Sequence, residues 1–173
     1  MIGPLKLFFL RHGRADRDQF HGGDDRLRPL VDEGKRRTHL SAGFLAELGL
    51  TDLEVVLTSP LVRARQTADI AATRLGLSSD VVEDSRLGFG FDGRALMAML
   101  NDLPGDPRRI MLVGHEPGLS HVIGELTGGD VVMRKGALAR VDLHATSPLA
   151  GELVWLLQPR VLLSAASAGH GGD

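Results

Sequence analysis

The chain has 173 residues, 43% of them apolar, a formal net charge of -2 and no cysteine. One domain with a sizeable core is the expectation; the charge argues against a nucleic-acid-binding protein, which usually carries a basic face, and the lack of cysteine excludes disulfides, thiolate catalysis and Cys-ligated metals. Seventeen of the 20 basic residues are arginine, the better bidentate ligand for phosphate, although genome composition alone produces such a bias.

In chain order, Leu5 to Leu10 reads as a buried strand, continuously apolar and cut off by a turn signal. Arg14 to Pro29, rich in Asp, Gly and Arg, reads as a loop. Asp32 to Leu48 is predicted helical: Leu40, Phe44, Leu45 and Leu48 recur at helical spacing, and Gly49 follows as a stop. Leu53 to Thr58 is the second strand. Ser59-Pro60 opens a helix to about Leu75, with proline at its start, where a missing N–H costs nothing. Asp80 to Glu83 is a short third strand, Gly88 to Gly93 a loop, and Arg94 to Leu103 a helix ended by Pro104-Gly105. Arg109 to Val113 is a fourth strand broken by Gly114, and Gly118 to Leu126 is a helix. Leu138 to Leu143 and Glu152 to Leu157 are two closing strands around a turn at Ser147 to Gly151. This alternation predicts an α/β three-layer sandwich, with a largely parallel central sheet of about six strands and helices on both faces. Residues 1–163 are expected to form a single catalytic domain and residues 164–173, small and polar, a flexible C-terminal tail. No signal-peptide pattern precedes Arg11 and no apolar stretch approaches about 18 residues, so a cytoplasmic location is expected.

Three strands end in polar signatures, and in open α/β sheets ligands bind beyond the carboxyl ends of the strands. The first ends in Arg11-His12-Gly13. The second ends in Thr58-Ser59-Pro60, with Arg63 and Arg65 in the first turn of the next helix. The fourth ends in Gly114-His115-Glu116-Pro117. Each residue type suits phosphoryl transfer. Neutral imidazole is a good nucleophile at pH 7 and carries a phosphoryl group covalently. Arginines hold phosphate oxygens by charge-assisted paired bonds and stabilise the transferring group. Helix N-termini present free N–H groups to anions, and Gly13 permits a tight turn beside a ligand.

These motifs resemble the histidine phosphatase superfamily, also called phosphoglycerate-mutase-like. The resemblance runs from about Lys6 to Leu157. It rests on Leu10-Arg11-His12-Gly13, on Ser59-Pro60 followed by Arg63-Ala64 and Gln66-Thr67-Ala68, and on Gly114-His115. Arg28 to Arg37 (RPLVDEGKRR) is similar to the helix-opening stretch of the SixA-like branch, which dephosphorylates phosphohistidine. The resemblance implies His12 as the nucleophile that becomes phosphohistidine and Arg11 and Arg63 as phosphate ligands. It makes His115 the second imidazole of the pocket, binding phosphate and stabilising its charge. It also implies no metal and no cofactor. Mutase-like members place a glutamate general acid two residues after an Arg-Leu pair; here Phe89 follows Arg86-Leu87 at that distance. Glu116 is the candidate substitute acid, ahead of Asp16, Asp18 and Asp92, although a glutamate before Pro117 at a helix start is also an ordinary favourable charge.

The leading expectation is therefore a metal-independent phosphatase with a covalent phosphohistidine intermediate, acting on phosphohistidine in a partner protein. The alternatives are a small-metabolite phosphomonoesterase and a catalytically inactive phosphate-binding adaptor. The adaptor is disfavoured because all four core residues are present, and a mutase because no segment is long enough to cap the pocket. The partner is expected to be a phosphorylated protein or a small phosphate ester, with no nucleic acid and no membrane. Arg65, two residues from Arg63, points elsewhere on a helix, and Thr67, four residues on from Arg63, reads either as helix packing or as support behind the site. His21 in the loop is a candidate for the rim of the site, although a solvated loop histidine is the commoner case; His39, His121, His144 and His170 lack motif context, and Asp24, Asp25, Arg26 and Arg28 read as a solvated charge cluster.

Overall fold

The structure, a computed structural model, describes residues 5–47, 49, 52–77 and 81–168. Leu48 and Asp80, which the sequence places at element ends, lie outside the described residues, as do 169–173 of the expected tail, His170 among them.

Strand β1 (Leu5–Arg11) sits near the middle of the molecule. Its side chains alternate: Leu7 and Phe9 enter one core, Phe8 and Leu10 the other, all four nearly fully buried. A strand covered on both faces has no solvent side, hence the unbroken apolar run. Burial of each such side chain is worth about 1.5–3 kcal/mol. The chain continues through α1 (Asp32–Glu47), β2 (Val55–Thr58), α2 (Val62–Leu75), β3 (Val81–Glu83), α3 (Gly93–Asp102), β4 (Arg109–Gly114), α4 (Gly118–Thr127), β5 (Leu138–Thr146), β6 (Leu149–Leu157) and α5 (Pro159–Ala168). Leu96, Met99, Leu119 and Ile123 from α3 and α4 fill the core on one face, and Ala42, Leu45, Ala68 and Leu75 from α1 and α2 fill the other. Helix α5 packs against α1. The three-layer α/β sandwich is thus observed.

The sheet order is β3-β2-β4-β1-β5-β6, with β1 to β4 mutually parallel, β5 antiparallel to β1 and β6 antiparallel to β5. Strand β4 enters between β2 and β1, which leaves a crevice beyond the carboxyl ends of β1 and β4. Register decides what faces that crevice. Arg11 lies opposite Gly114, so His12 and His115, one residue further on, leave the sheet side by side. Thr58 lies opposite Val113, which brings Ser59 beside them.

Two local expectations are corrected. The closing turn is only Ser147-Pro148, and Gly151 lies inside β6. A Cβ there would stand 2.8 Å from Val141 Cγ1, so this glycine marks close strand approach rather than a turn. The stretch from Ser164 is helical through Ala168, not a free tail, because α5 opens at Pro159 and docks through buried Leu162. Among the described residues no helix is long and apolar enough to cross a membrane.

Candidate active site

The site is built where β1, β2 and β4 end. His12 is 5% exposed and His115 4% exposed, with ring centroids 5.0 Å apart. His12 Nδ1 lies 2.8 Å from Gly13 O. A carbonyl only accepts, so Nδ1 carries the proton and Nε2 keeps a free lone pair. The His12 backbone is itself fixed, its N–H donating to Gly114 O at 3.1 Å. Gly13 N donates to Thr67 Oγ1 at 3.0 Å, and Thr67 Oγ1 donates to Arg63 O at 2.7 Å, so the first turn of α2 is tied to the end of β1. Gly13 is required by close approach of α1 rather than by a left-handed backbone: a Cβ would stand 2.7 Å from Thr38 Oγ1.

Arg63, 3% exposed, reaches from α2 to the loop before α1. Its Nη1 donates to Asp25 O at 2.8 Å and its Nη2 pairs with Asp25 Oδ2 at 3.3 Å. Asp25 is also held by Arg28 Nε at 2.8 Å, and Arg28, 7% exposed, donates to Ala15 O. The expectation of a solvated cluster is therefore corrected for Asp25 and Arg28, which brace the loop against Arg63; it stands for the exposed Asp24–Arg26 pair. Arg11 is half-buried, and its Nη1 donates to Met133 O at 2.7 Å. Arg11 Nε, Arg63 Nε and His115 Nδ1 are buried without a hydrogen-bond partner.

Electrostatics follow from burial beside cations. Desolvation pushes the His12 imidazole down to about 3, the Gly13 carbonyl opposing and His115, Arg63 and Arg11 adding to the fall. Burial, then Arg63 and Arg11, push His115 down to about 4. Burial also lowers both guanidiniums, with Glu116 partly restoring Arg11. Both imidazoles are neutral at pH 7, and the charged groups around them are Arg11, Arg63 and Arg28, offset by Asp25 and Glu116.

The other candidates sort by contact. Glu116 is half-buried next to the pocket and accepts from Ser120 Oγ at 2.9 Å. Asp92 is occupied as the cap of α3, accepting from Ala95 N at 2.8 Å, and Asp16 pairs with Arg14 at 2.8 Å. Arg65 turns away to Asp69 and Glu83, at 2.8 and 3.1 Å. His21 and His39 are exposed, and His121 and His144 pair with Glu125 and Glu152. Sequence reasoning missed two members. Ser59 Oγ is hydrogen-bonded to His115 Nε2 at 2.8 Å and accepts from Leu61 N at 3.3 Å; a serine ending a strand before a helix was the available signal. Asp25 gave none, because it lies in a long loop whose path the sequence does not fix. Among the described residues no group of three or more His, Cys, Asp or Glu side chains is placed to hold a metal ion.

Comparison with known proteins gives a consistent set of relatives. The family model for the histidine phosphatase superfamily (branch 1) matches residues 7–88. An uncharacterized protein of Picosynechococcus is 37% identical over 92% of this chain and 99% of its own. The phosphohistidine phosphatase SixA of Escherichia coli is 27% identical over 90% of this chain and 94% of its own. A solved structure of the protein histidine phosphatase SixA complexed with tungstate superposes with a TM-score of 0.77 at 27% identity, covering 91% of this chain and 99% of that one.

Proposed function

The chain belongs to the histidine phosphatase superfamily and is a phosphatase, and we propose that it removes phosphate from phosphohistidine in a partner protein through a phosphoenzyme on His12. The observation that carries this reading is the His12 Nδ1–H bond to Gly13 O, which leaves Nε2 as a fixed, neutral nucleophile beside His115 and two arginines. Nε2 attacks phosphorus, and the bond from phosphorus to the substrate ring nitrogen breaks with its electron pair moving to that nitrogen. A substrate imidazole protonated on its other nitrogen departs neutral. Phosphorylated His12, holding its Nδ1 proton, is an imidazolium and so in turn a good leaving group when water attacks.

Arg11 and Arg63 take the equatorial oxygens, the usual task of cations in phosphoryl transfer. Ser59 Oγ accepts from Leu61 N–H, and we assign its own hydrogen to the bond with His115 Nε2. The His115 proton then sits on Nδ1, a buried donor without a protein partner. Orphaned donors cost about 1–3 kcal/mol each, and a tetrahedral anion relieves that cost at Arg11, Arg63 and His115 together.

An alkyl ester expels an alkoxide and needs a positioned acid, typically worth 10²–10⁴-fold. Phe89 stands where such an acid is expected, and of the alternatives Asp92 and Asp16 are engaged elsewhere. Asp18 is exposed in the loop before α1, and Glu116 remains, half-buried beside Arg11. Phosphohistidine does not depend on it, and this asymmetry favours the P–N substrate. The test compares turnover of a phosphorylated histidine-transfer domain with a panel of phosphate monoesters, for wild type and Glu116→Gln. Preference for the phosphoprotein, with little change in Glu116→Gln, supports the reading. Fast alkyl ester hydrolysis that disappears in Glu116→Gln would establish a metabolite phosphatase instead.

A further inference from the structure

We propose that Phe89 is the platform of a leaving-group subsite that takes planar, neutral or cationic rings, so that the chain selects its substrate by the group it expels. This rests on the phosphatase reading above and names the part of that site which reads the leaving group.

The observation is an aromatic side chain held out of the core beside the reacting imidazoles. Phe89 is 70% exposed, yet its ring lies 5.5 Å from the His115 ring, tilted by 33°. Its exposure is built rather than incidental. Leu87 and Phe91, on either side, are buried at 0% and 3%, so the chain is anchored at both ends of the Gly88-Phe89-Gly90 tip. Asp84 caps the Ser85–Leu87 turn through Arg86 N at 2.9 Å, and the Arg86 guanidinium ties Asp84 to Asp102. Gly90 adopts φ +86°, a conformation that lets the tip turn outward. Leaving a phenyl ring in water forfeits the stabilisation its burial gives, and here the surrounding structure enforces it.

Phe89 forms one wall of a cleft of about 370 Å³ that His115, Phe91, Glu116 and Pro117 also line. No Arg or Lys is among its described lining residues, and its anionic side chains are Asp92 and Glu116. The two sides of the site therefore differ in charge. The phosphoryl side carries Arg11 and Arg63, whereas the Phe89 side carries carboxylates and an aromatic face. Such a cleft disfavours a leaving group bearing a second phosphate or a carboxylate. It favours a flat ring that stacks on Phe89, and more so a protonated imidazole, which gains cation–π attraction from the phenyl and charge complementarity from Glu116. Phosphohistidine with its free nitrogen protonated has both properties at the moment of transfer.

The test separates the ring from the phosphoryl group. Phosphoramidate, whose leaving group is ammonia, labels His12 without using the platform. A phosphohistidine peptide and para-nitrophenyl phosphate use it, the latter through stacking of its ring, which is neutral until the P–O bond breaks. Phe89→Ala is expected to lower kcat/KM for both ring substrates by roughly two- to tenfold, the range of an aromatic pair. Its labelling rate with phosphoramidate and its inhibition by inorganic phosphate are expected to stay within about twofold of wild type. Phe89→Trp should keep ring turnover, and Phe89→Leu, apolar but not planar, should behave like Phe89→Ala. Equal losses on phosphoramidate and ring substrates, no loss on either, or wild-type selectivity in Phe89→Leu would overturn the platform while leaving the phosphatase reading intact. Failure of phosphoramidate to label wild-type His12 would overturn that reading and the platform with it.

Discussion

At the scale of single residues, two arginines two positions apart on α2 have opposite fates. Arg63 is buried against Asp25, and Arg65 is half-exposed against Asp69 and Glu83. Arg63→Ala is expected to cost roughly 10²–10³ in kcat/KM, the range for a lost transition-state donor, and Arg65→Ala less than about threefold, since exposed ion pairs contribute little. Steady-state kinetics on one substrate decide it, and equal losses would misplace the helix face. The imidazoles yield a pH prediction. Their folded values, about 3 for His12 and about 4 for His115, lie below the unfolded value near 6.5. Between those limits the unfolded chain binds more protons, so stability is full above about pH 6.5 and is lost as pH falls towards 4. Urea midpoints at pH 7 and pH 5 should therefore differ more for wild type than for the double variant His12→Gln, His115→Gln. An identical difference would show that these imidazoles are not held neutral by the fold.

At the scale of elements, the end of β1 is positioned by α1 and α2 together. Val31 N donates to Arg14 O at 3.1 Å, and a Cβ on Gly34 would stand 2.2 Å from that same oxygen. Backbone cannot yield as a flexible side chain does, so Gly34→Ala should cost about 1–3 kcal/mol and move the segment carrying His12. A chemical denaturation curve and kcat together check this. Loss of stability without loss of kcat would mean that α1 supports the fold but not the placement of His12, the proposed nucleophile. The sequence made β1, β2, β4 and the four motif residues legible, because an apolar run stopped by Arg-His-Gly or Gly-His combines a period signal with a chemical one. The bracing by Asp25, Arg28 and Ser59 was not legible. It depends on where a long polar loop returns and on a strand register, neither of which local pattern encodes. Helix α5 was missed for a related reason: the small residues from Ser164 read as a tail until a docking surface on α1 is known.

At the scale of the whole molecule, parallel strands inserted out of sequence order carry residues from positions 12, 63 and 115 to one crevice. Loops, not the sheet, supply the wall of residues 88–92 in the cleft beside His115. In the proposed mechanism arginines occupy the role a cation would fill, so chelation with EDTA is expected to leave turnover unchanged, and strict dependence on Mg²⁺ or Zn²⁺ would contradict it. The central claim is a covalent phosphoryl group on one nitrogen of one residue. Wild-type protein is incubated with phosphoramidate, quenched in base, and examined by ³¹P NMR and peptide mass spectrometry, beside His12→Ala. The account predicts an acid-labile, base-stable phosphoryl group on Nε2 of His12, absent from the variant. An acid-stable phosphoester on Ser59 or Thr58, or labelling that persists in His12→Ala, would contradict it.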